Sequence, residues 1–353
     1  MTKSFHFLIL MIVAIGLVAM LGCGGGAARS QTTPPITNVY VAGYEANASG
    51  VEVAKYWKDG VAVPLSDGTH NSVATSIFVS GTDVHVAGFE FNGSVFVAKY
   101  WKNGVGSDLT DGTKYAVANS IFVSGSDVYI AGREYGPPHY DVAQYWKNGV
   151  PVILTDNTET AEAFSVVVAG SDVYVAGYEN KLTQINHTNV VNPVAKYWKN
   201  GVPVELSDGL TVAFGYSIFV AGSDVYVAGS LCQVVSGNCD LPTYWKNGTP
   251  IQLSNVAGTS VSSVFASGTH IYASEGGTSD AQVWKDGAPT LLTKGATNAG
   301  TNQVVVSGTD IYAAGYDWGG ARNYAEYWKN GVPVLLNDGT HQATALSIAI
   351  VSH

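Results

Sequence analysis

Five acidic side chains occupy one position of a repeated sequence pattern, and together they could bind a cation: Glu45, Glu90, Glu134, Glu179 and Asp317. Three of them are followed, one predicted hairpin later, by Lys55, Lys99 and Lys196. Where the lysine is replaced by Gln144 or Glu326, an arginine (Arg133 or Arg322) lies nearby. Because opposite charges on neighbouring strands stabilise each other, the pattern favours cross-strand ion pairs over a cation site.

A second repeated acid precedes Gly or Asn in segments such as LSDG and LTDG: Asp67, Asp111, Asp156, Asp208 and Asp338. Aspartate accepts hydrogen bonds from the backbone that follows it, so these residues are predicted to form turns. The eight histidines are scattered through the repeats. No nucleophile elbow, zinc-protease motif, phosphate loop or calcium loop is present. The sequence therefore predicts no catalytic residue, no metal ligand and no cofactor.

Aromatic residues in loops of variable length are candidates for ligand binding. Seven of the eight tryptophans keep the repeat spacing, and Trp318 alone does not. It lies in YDWGGARNY with Arg322 and Tyr324, and another variable loop carries Tyr135, His139 and Tyr140. An indole beside a guanidinium and a phenol can stack on a sugar and hydrogen-bond its hydroxyls. We therefore predict a glycan or protein ligand with Trp318 as main anchor; the alternative is that Trp318 covers a neighbouring repeat.

The repeat that positions these loops is marked by YWKNGV and its variants. Its tryptophans are Trp57, Trp101, Trp146, Trp198, Trp245, Trp284 and Trp328, between 39 and 52 residues apart. Each period contains four strand-like segments separated by turn signals such as Asn-Gly, which is typical of a β-propeller blade. Neighbouring Tyr and Trp residues on a strand point to opposite faces, so they are predicted to pack between blades.

The order of the strands follows from proline and from the two chain ends. Proline recurs in the fourth segment, which predicts that this strand lies at the outer edge. The last segment, SIAIVSH, is a first strand, whereas NVYVAGYE from Asn38 is a second strand. We therefore predict an all-β fold: a seven-bladed β-propeller of four-stranded antiparallel blades over residues 38–353. One C-terminal strand plus three N-terminal strands close it, with Leu346–Val351 paired to Val39–Gly43.

The segments DVYVAGYE and VAKYWKNG resemble the repeat of a bacterial seven-bladed β-propeller family often called SBBP. The resemblance spans Asn38 to His353 and implies the fold. It implies no catalytic or ligand-binding residue, because the family carries no such signature at these positions.

The N-terminus resembles the signal peptide of a bacterial lipoprotein. Lys3 precedes an apolar run, Phe7–Leu21, which ends at Gly22 and Cys23. In such a lipobox the cysteine is lipidated and becomes the first mature residue, which implies an extracytoplasmic, membrane-anchored protein. Residues 1–23 are then the leader and residues 24–37 a flexible tether. The alternative is an ordinary cleaved signal peptide.

The two remaining cysteines, Cys232 and Cys239, flank a predicted hairpin loop. Export favours disulfide formation, so we predict that they are paired. Zinc binding is the weaker alternative, since two thiols without a nearby histidine leave the metal under-ligated.

The composition argues against one class of function. Charged residues are few (12%), and the formal net charge of −10 argues against non-specific nucleic-acid binding, which requires a basic surface. We predict a monomeric, non-enzymatic module that binds glycan or protein through the face carrying the variable loops. The alternative is an extracytoplasmic hydrolase or lyase that uses scattered residues of the axial funnel.

Overall fold

The described part of the protein consists of strands and their connections. A computed structural model describes residues 37–136, 140–185, 188–232, 240–276, 280–295 and 298–352. These residues form 28 strands in seven four-stranded antiparallel sheets, which confirms the predicted seven-bladed fold. No helix within these ranges is long and apolar enough to span a membrane. The predicted leader with Cys23 lies outside the described residues.

Blade 1 combines the two ends of the propeller, and the next three blades follow in chain order. Blade 1 contains β1 (Thr37–Ala46), β2 (Glu52–Lys58), β3 (Val61–Pro64) and β28 (Ala343–Ser352). Blade 2 contains β4 (Ser72–Ser80), β5 (Asp83–Phe91), β6 (Phe96–Lys102) and β7 (Val105–Asp108). Blade 3 contains β8 (Ala116–Ser124), β9 (Asp127–Gly136), β10 (Tyr140–Lys147) and β11 (Val150–Ile153). Blade 4 contains β12 (Ala161–Ala169), β13 (Asp172–Ile185), β14 (Thr188–Lys199) and β15 (Val202–Glu205).

The last three blades repeat the same order. Blade 5 contains β16 (Ala213–Ala221), β17 (Asp224–Leu231), β18 (Leu241–Lys246) and β19 (Thr249–Gln252). Blade 6 contains β20 (Ser260–Ser267), β21 (His270–Gly276), β22 (Gln282–Lys285) and β23 (Ala288–Leu291). Blade 7 contains β24 (Gly300–Ser307), β25 (Asp310–Trp318), β26 (Asn323–Lys329) and β27 (Val332–Leu335).

The repeated Trp-Lys-Asn-Gly sequence ends the third strand and forms a tight turn into the fourth. In blade 2, Asn103 (φ 52°) and Gly104 (φ 83°) both have positive φ, as a type I′ turn requires. The Asn103 side chain also accepts the Val84 N–H at 2.8 Å and donates to Asp83 at 2.9 Å. Lys102 pairs with the same Asp83 at 2.8 Å. The motif therefore fixes the turn and ties it to the preceding hairpin.

The repeat tryptophans pack between blades, as predicted. Trp146 of blade 3 lies in one cluster with Ala87 and Ala98 of blade 2. Its neighbour Tyr145 packs on the opposite face, in a cluster with Ala161 of blade 4. Because alanines stand opposite each indole, adjacent blades approach closely and bury almost all of its surface.

The first blade is closed as the sequence predicts. β28 pairs antiparallel with β1, with Val39 opposite Ile350 and Val41 opposite Ile348. Ile348 is 2% exposed, so this junction is as well buried as the rest of the core. In every sheet the short fourth strand is the outer edge. Proline is tolerated there because the outer side of an edge strand has no neighbouring strand that needs its N–H.

The inner strands contain an irregularity in their pairing that the sequence did not predict. Each has a β-bulge around one residue: Thr75, Asn119, Phe164, Tyr216, Ser262, Asn302 and Leu346. The following side chain accepts a backbone N–H of the next blade; Ser347 accepts from Ile77 at 3.1 Å and Ser76 from Ile121 at 3.2 Å. The bulge therefore aims side chains across the blade junctions and into a narrow axial channel of about 100 Å³.

Candidate functional site

Three of the repeated carboxylates form ion pairs and are not arranged as a cation site. Nζ lies 2.6 Å from the carboxylate in Lys55–Glu45, 3.1 Å in Lys99–Glu90 and 2.6 Å in Lys196–Glu179. The preference for cross-strand ion pairs is confirmed in these blades. Within the described ranges, no three His, Cys, Asp or Glu side chains come together as a possible metal site.

The predicted compensation by arginine is wrong. Arg133 turns away from the glutamate of its own strand and pairs with other carboxylates, while Glu134 lies 3.7 Å from Lys114. Arg322 donates through Nη1 to the carbonyl oxygen of Thr340. Each guanidinium thus has a partner that sequence spacing could not indicate, because the partner comes from another strand or from the next interblade connection.

The remaining polar repeats have structural roles. Asp67 accepts hydrogen bonds from the N–H and the hydroxyl of Thr69 at 2.9 and 2.7 Å, and the other four aspartates form the same turn. This confirms the predicted turns. His85 is buried, and its Nδ1 lies 2.7 Å from the Tyr100 hydroxyl, so it belongs to the packing of blade 2.

The predicted anchor Trp318 lies at the end of β25 and is 37% exposed. The Tyr324 ring is packed so closely that a Cβ at Gly319 or Gly339 would overlap it. Arg322 is engaged with the Thr340 carbonyl. Trp318 is therefore available to a ligand, whereas Tyr324 and Arg322 hold the loop together.

The second predicted group lies on blade 3. Tyr135 is 39% exposed, and Tyr140 begins β10 opposite Gly136. His139 lies outside the described residues. Blades 1 and 2 stand between blades 7 and 3 in the ring, so Tyr135 and Trp318 do not lie on adjacent blades.

The predicted disulfide is described on one side only. Cys232 is 7% exposed and follows directly on β17. Cys239 lies outside the described residues, so the pairing stays a prediction.

A cavity of about 730 Å³ lies between blades 2 and 3 on the face of the variable loops. Its wall includes Tyr115, Tyr135, Lys114, Arg133 and Asp141. The Arg133 guanidinium lies 5.3 Å from the centre of the Tyr115 ring. This blade 2–3 cavity therefore combines phenol rings with fixed charges, and it includes one residue, Tyr135, that the sequence singled out.

A partly buried charged cluster adjoins this cavity toward the axis. Arg133 Nη1 lies 2.5 Å from Asp141 Oδ2, and its Nε lies 3.3 Å from Glu162 Oε1 without hydrogen-bond alignment. Asn119 Nδ2 donates to Glu162 at 3.0 Å and to the Ala163 carbonyl at 2.9 Å. We call Arg133, Asp141 and Glu162 the acid–arginine cluster. It places one guanidinium between two carboxylates.

Four aromatic rings continue this surface over blades 4 and 5. Phe164 and Tyr216, two of the bulge residues, line the axial channel. Ring centres are 5.3 Å apart for Phe164–Tyr216, 5.9 Å for Phe164–Tyr178 and 5.0 Å for Tyr178–Phe214. All four side chains are partly exposed. We call Phe164, Tyr178, Phe214 and Tyr216 the aromatic cluster; Glu162 stands directly opposite Tyr178 in the sheet.

Burial sets the ionisation of the groups on this surface. It raises the pKa of Glu162, although Arg133 and then Asn119 oppose the shift. Burial also raises the pKa of Tyr178 and of Tyr216. Both phenols therefore keep their hydroxyl protons, and Glu162 holds its proton to a higher pH than an exposed glutamate does.

The aromatic cluster was missed because its members occupy strand positions and not loops. One signal was present: at the position where blades 2 and 3 have Thr75 and Asn119, blades 4 and 5 have Phe164 and Tyr216. The other five blades have no aromatic residue at this position beside the axis, so the packing of a blade does not require one.

No protein-family model and no curated protein sequence matches the chain. Among solved structures, it is similar to the β-propeller domain of the Trilobed protease from Pyrococcus furiosus. The TM-score is 0.53 at 10% identity, covering 87% of this chain and 98% of that one. That propeller is described as having an open velcro topology, whereas β28 pairs with β1 here.

Two further similarities are weaker and carry no functional argument. Kuenenia stuttgartiensis hydrazine synthase gives a TM-score of 0.45 at 10% identity, covering 72% of this chain and 44% of that one. Trypanosoma rangeli sialidase in complex with sialic acid gives 0.42 at 10% identity, covering 84% and 56%. The comparisons therefore support the architecture alone: the chain is a seven-bladed β-propeller.

Proposed function

We propose that the protein is a binding module and that its ligand is a carbohydrate chain, held over blades 2 to 5 near the axial channel. The observation that carries this proposal is the partly exposed aromatic cluster beside the acid–arginine cluster. Aromatic faces pack against the C–H faces of sugar rings, while fixed charged and hydroxyl groups bind the sugar hydroxyls.

The arrangement suits a ligand with several sugar rings. The aromatic cluster offers stacking surfaces over blades 4 and 5, and Tyr115 and Tyr135 offer two more at the blade 2–3 cavity. The acid–arginine cluster lies between these two surfaces, where it can accept and donate hydrogen bonds. Its side chains are already held by one another, so little rotamer entropy is lost on binding.

The test is binding of the purified protein to an oligosaccharide array, followed by calorimetry on the sugars that are retained. Tyr178→Ala is expected to weaken binding at least tenfold, about 1.4 kcal/mol, because a stacking face is lost. Tyr178→Phe keeps the ring and should retain most of the affinity.

Trp318→Ala is the matched control, since it removes an exposed aromatic side chain from blade 7. If Trp318→Ala abolishes binding and Tyr178→Ala does not, the ligand is held by the blade 7 loop that the sequence singled out. Retention of a protein and of no sugar would make the ligand a protein partner.

A hydrolase or lyase at the same surface is the second candidate. The observation that favours it is the pair of carboxyl groups beside Arg133, because burial raises the pKa of Glu162 and a proton donor needs such a shift. Glu162→Gln should then abolish turnover of a retained sugar while preserving binding. A sugar that is bound and never cleaved by the wild type argues against this activity.

We also propose that the chain is an SBBP-like bacterial lipoprotein, tethered to a membrane outside the cytoplasm through Cys23. The support is the apolar run that ends at Cys23, followed by a Gly-rich, Pro-containing segment. Cys23→Ala should abolish labelling with a palmitate analogue. In the exported protein, Cys232 and Cys239 should resist thiol labelling until a reductant is added; two thiols reactive from the start would exclude the disulfide.

A further inference from the structure

Blade 7 departs from the cross-strand ion pairs of blades 1, 2 and 4. Glu326 stands opposite Gly315, the position that Lys55 has in blade 1. Asp317 takes the place of Glu45, which is the partner of that lysine. Two carboxyl groups therefore lie together where three other blades hold an ammonium and a carboxylate.

Glu326 is buried without a partner in the described part of the chain. The residue is only 3% exposed, and its carboxyl group has no hydrogen bond or ion pair with any described residue. It lines a cavity of about 250 Å³ between blades 6 and 7, together with Asp317, Trp318, Leu292 and Pro333. Burial and the neighbouring Asp317 raise the pKa of Glu326 to about 7. A buried carboxyl without a partner is unusual, because its desolvation is not offset.

We propose that this cavity binds an alkylammonium group, which takes the place of the lysine ammonium that the repeat supplies in other blades. There the lysine nitrogen lies 2.6–3.1 Å from the carboxylate, so the blade framework accommodates an N⁺–H donor at this depth. Leu292 and Pro333 supply apolar wall for the carbon chain, and Trp318 adds an aromatic surface.

The donor set fits an amine better than a metal ion. Calcium takes six to eight oxygen ligands, whereas Asp317 and Glu326 are the only acidic side chains that line this cavity within the described residues. The volume of about 250 Å³ holds roughly eight water molecules at about 30 Å³ each, which is enough for a short alkylamine. Lys294 also lines the cavity, but it is exposed and forms no ion pair with a described residue.

The ammonium could come from a free alkylamine or from a lysine side chain of a partner protein. Both present the same group to Asp317 and Glu326. The site lies between blades 6 and 7, apart from the surface proposed for carbohydrate, so neither proposal depends on the other.

The experiment is a titration of the purified protein at pH 8 with butylamine, followed by tryptophan fluorescence and calorimetry. 1-Butanol is the neutral analogue of equal chain length, and we expect its affinity to be at least tenfold lower. Nα-acetyl-lysine amide forms a second arm: tighter binding than butylamine assigns the site to a partner's lysine, and weaker binding assigns it to free amines.

Variants decide whether Glu326 is responsible. Glu326→Gln keeps the side-chain shape and should lower butylamine affinity at least tenfold. Glu326→Lys restores the ion pair of the other blades within the chain and should abolish binding. Glu90→Gln is the matched control in blade 2, where Lys99 already occupies the carboxylate, and it should leave the affinity unchanged.

Two results would overturn the proposal. One is wild-type protein that binds butylamine no better than 1-butanol. The other is a Glu326→Gln variant, folded by circular dichroism, with wild-type affinity for butylamine. If Glu326→Lys does not fold, the Glu326→Gln result alone decides.

Discussion

At the scale of single residues, one repeat position carries opposite charges in different blades. Lys196 in blade 4 is held by Glu179, whereas Glu326 in blade 7 lies beside Asp317 and forms no ion pair with a described residue. The pKa of Glu326 rises from 4.5 to about 7 on folding, so the folded chain binds the proton more tightly than the unfolded chain. The stability contribution is present below about pH 4.5 and is lost as pH rises through about 7.

We therefore predict that Glu326→Gln removes part of the pH dependence of stability. Between pH 4.5 and 8, the unfolding free energy of the wild type should fall by about 2–3 kcal/mol relative to the variant. Urea unfolding at a series of pH values measures this difference. Parallel curves for the two proteins would show that Glu326 titrates normally. Asp67 and similar aspartates do not interfere, because their lowered pKa values place their titration below this window.

A second residue-scale prediction compares two lysines of the same strand. Lys196 pairs with Glu179 with side chains 8% and 21% exposed, whereas Lys199 pairs with Asp172 at 46% and 32%. Lys196→Met leaves a largely buried carboxylate unpaired and should lower the unfolding free energy by about 2–3 kcal/mol. Lys199→Met should be indistinguishable from the wild type in the same urea titration, because solvent screens an exposed pair. Equal effects of the two changes would contradict this reading.

At the scale of the elements, blade 6 is the irregular member. Its third strand has Val283 where the other blades have the tyrosine of YWK. A cavity of about 230 Å³, lined by Val283, Leu292, Ile311 and Trp328 among others, lies between this strand and blade 7. The cavity lies where a tyrosine ring would otherwise pack, since Tyr145 fills the equivalent junction between blades 3 and 4.

We predict that Val283→Tyr stabilises the protein by about 1 kcal/mol, because it buries aromatic surface in existing space. Tyr145→Val is the reverse change in blade 3 and should destabilise by about 2–3 kcal/mol. Differential scanning calorimetry measures both shifts. A lower melting temperature for Val283→Tyr would mean that the cavity cannot accept the ring without strain.

At the scale of the whole molecule, stability depends on one junction between strands far apart in sequence. Deleting residues 347–353 removes most of β28 and exposes the inner edge of β1 over Thr37–Ala42. We expect aggregation, or loss of a single cooperative melting transition, because an open inner edge pairs with other chains. Deleting residues 24–34, which lie within the predicted tether, is the control and should leave the melting curve unchanged. A chain shortened at 346 that melts like the full chain would contradict the role of this junction.

The architecture could be predicted from sequence because its determinants are local. YWKNGV carries its own turn and one aromatic side chain for each face, and the offset of the two chain ends specifies the closure. The candidate site could be predicted only in part. Tyr135 was found from its loop, but Arg133 of blade 3 meets Glu162 and Tyr178 of blade 4 only when these two blades pack together near the axis. Their contacts depend on blade geometry, which strand patterns do not encode.

The first blade is built from both ends of the propeller, and this determines when folding can be completed. Tyr44 and Thr344, which share a hydrogen bond in that blade, are 300 residues apart along the chain. Synthesis proceeds from the N-terminus, so β1 has no inner neighbour until nearly every other strand has been made. Resistance to proteases should then be acquired in one late step, when β28 arrives.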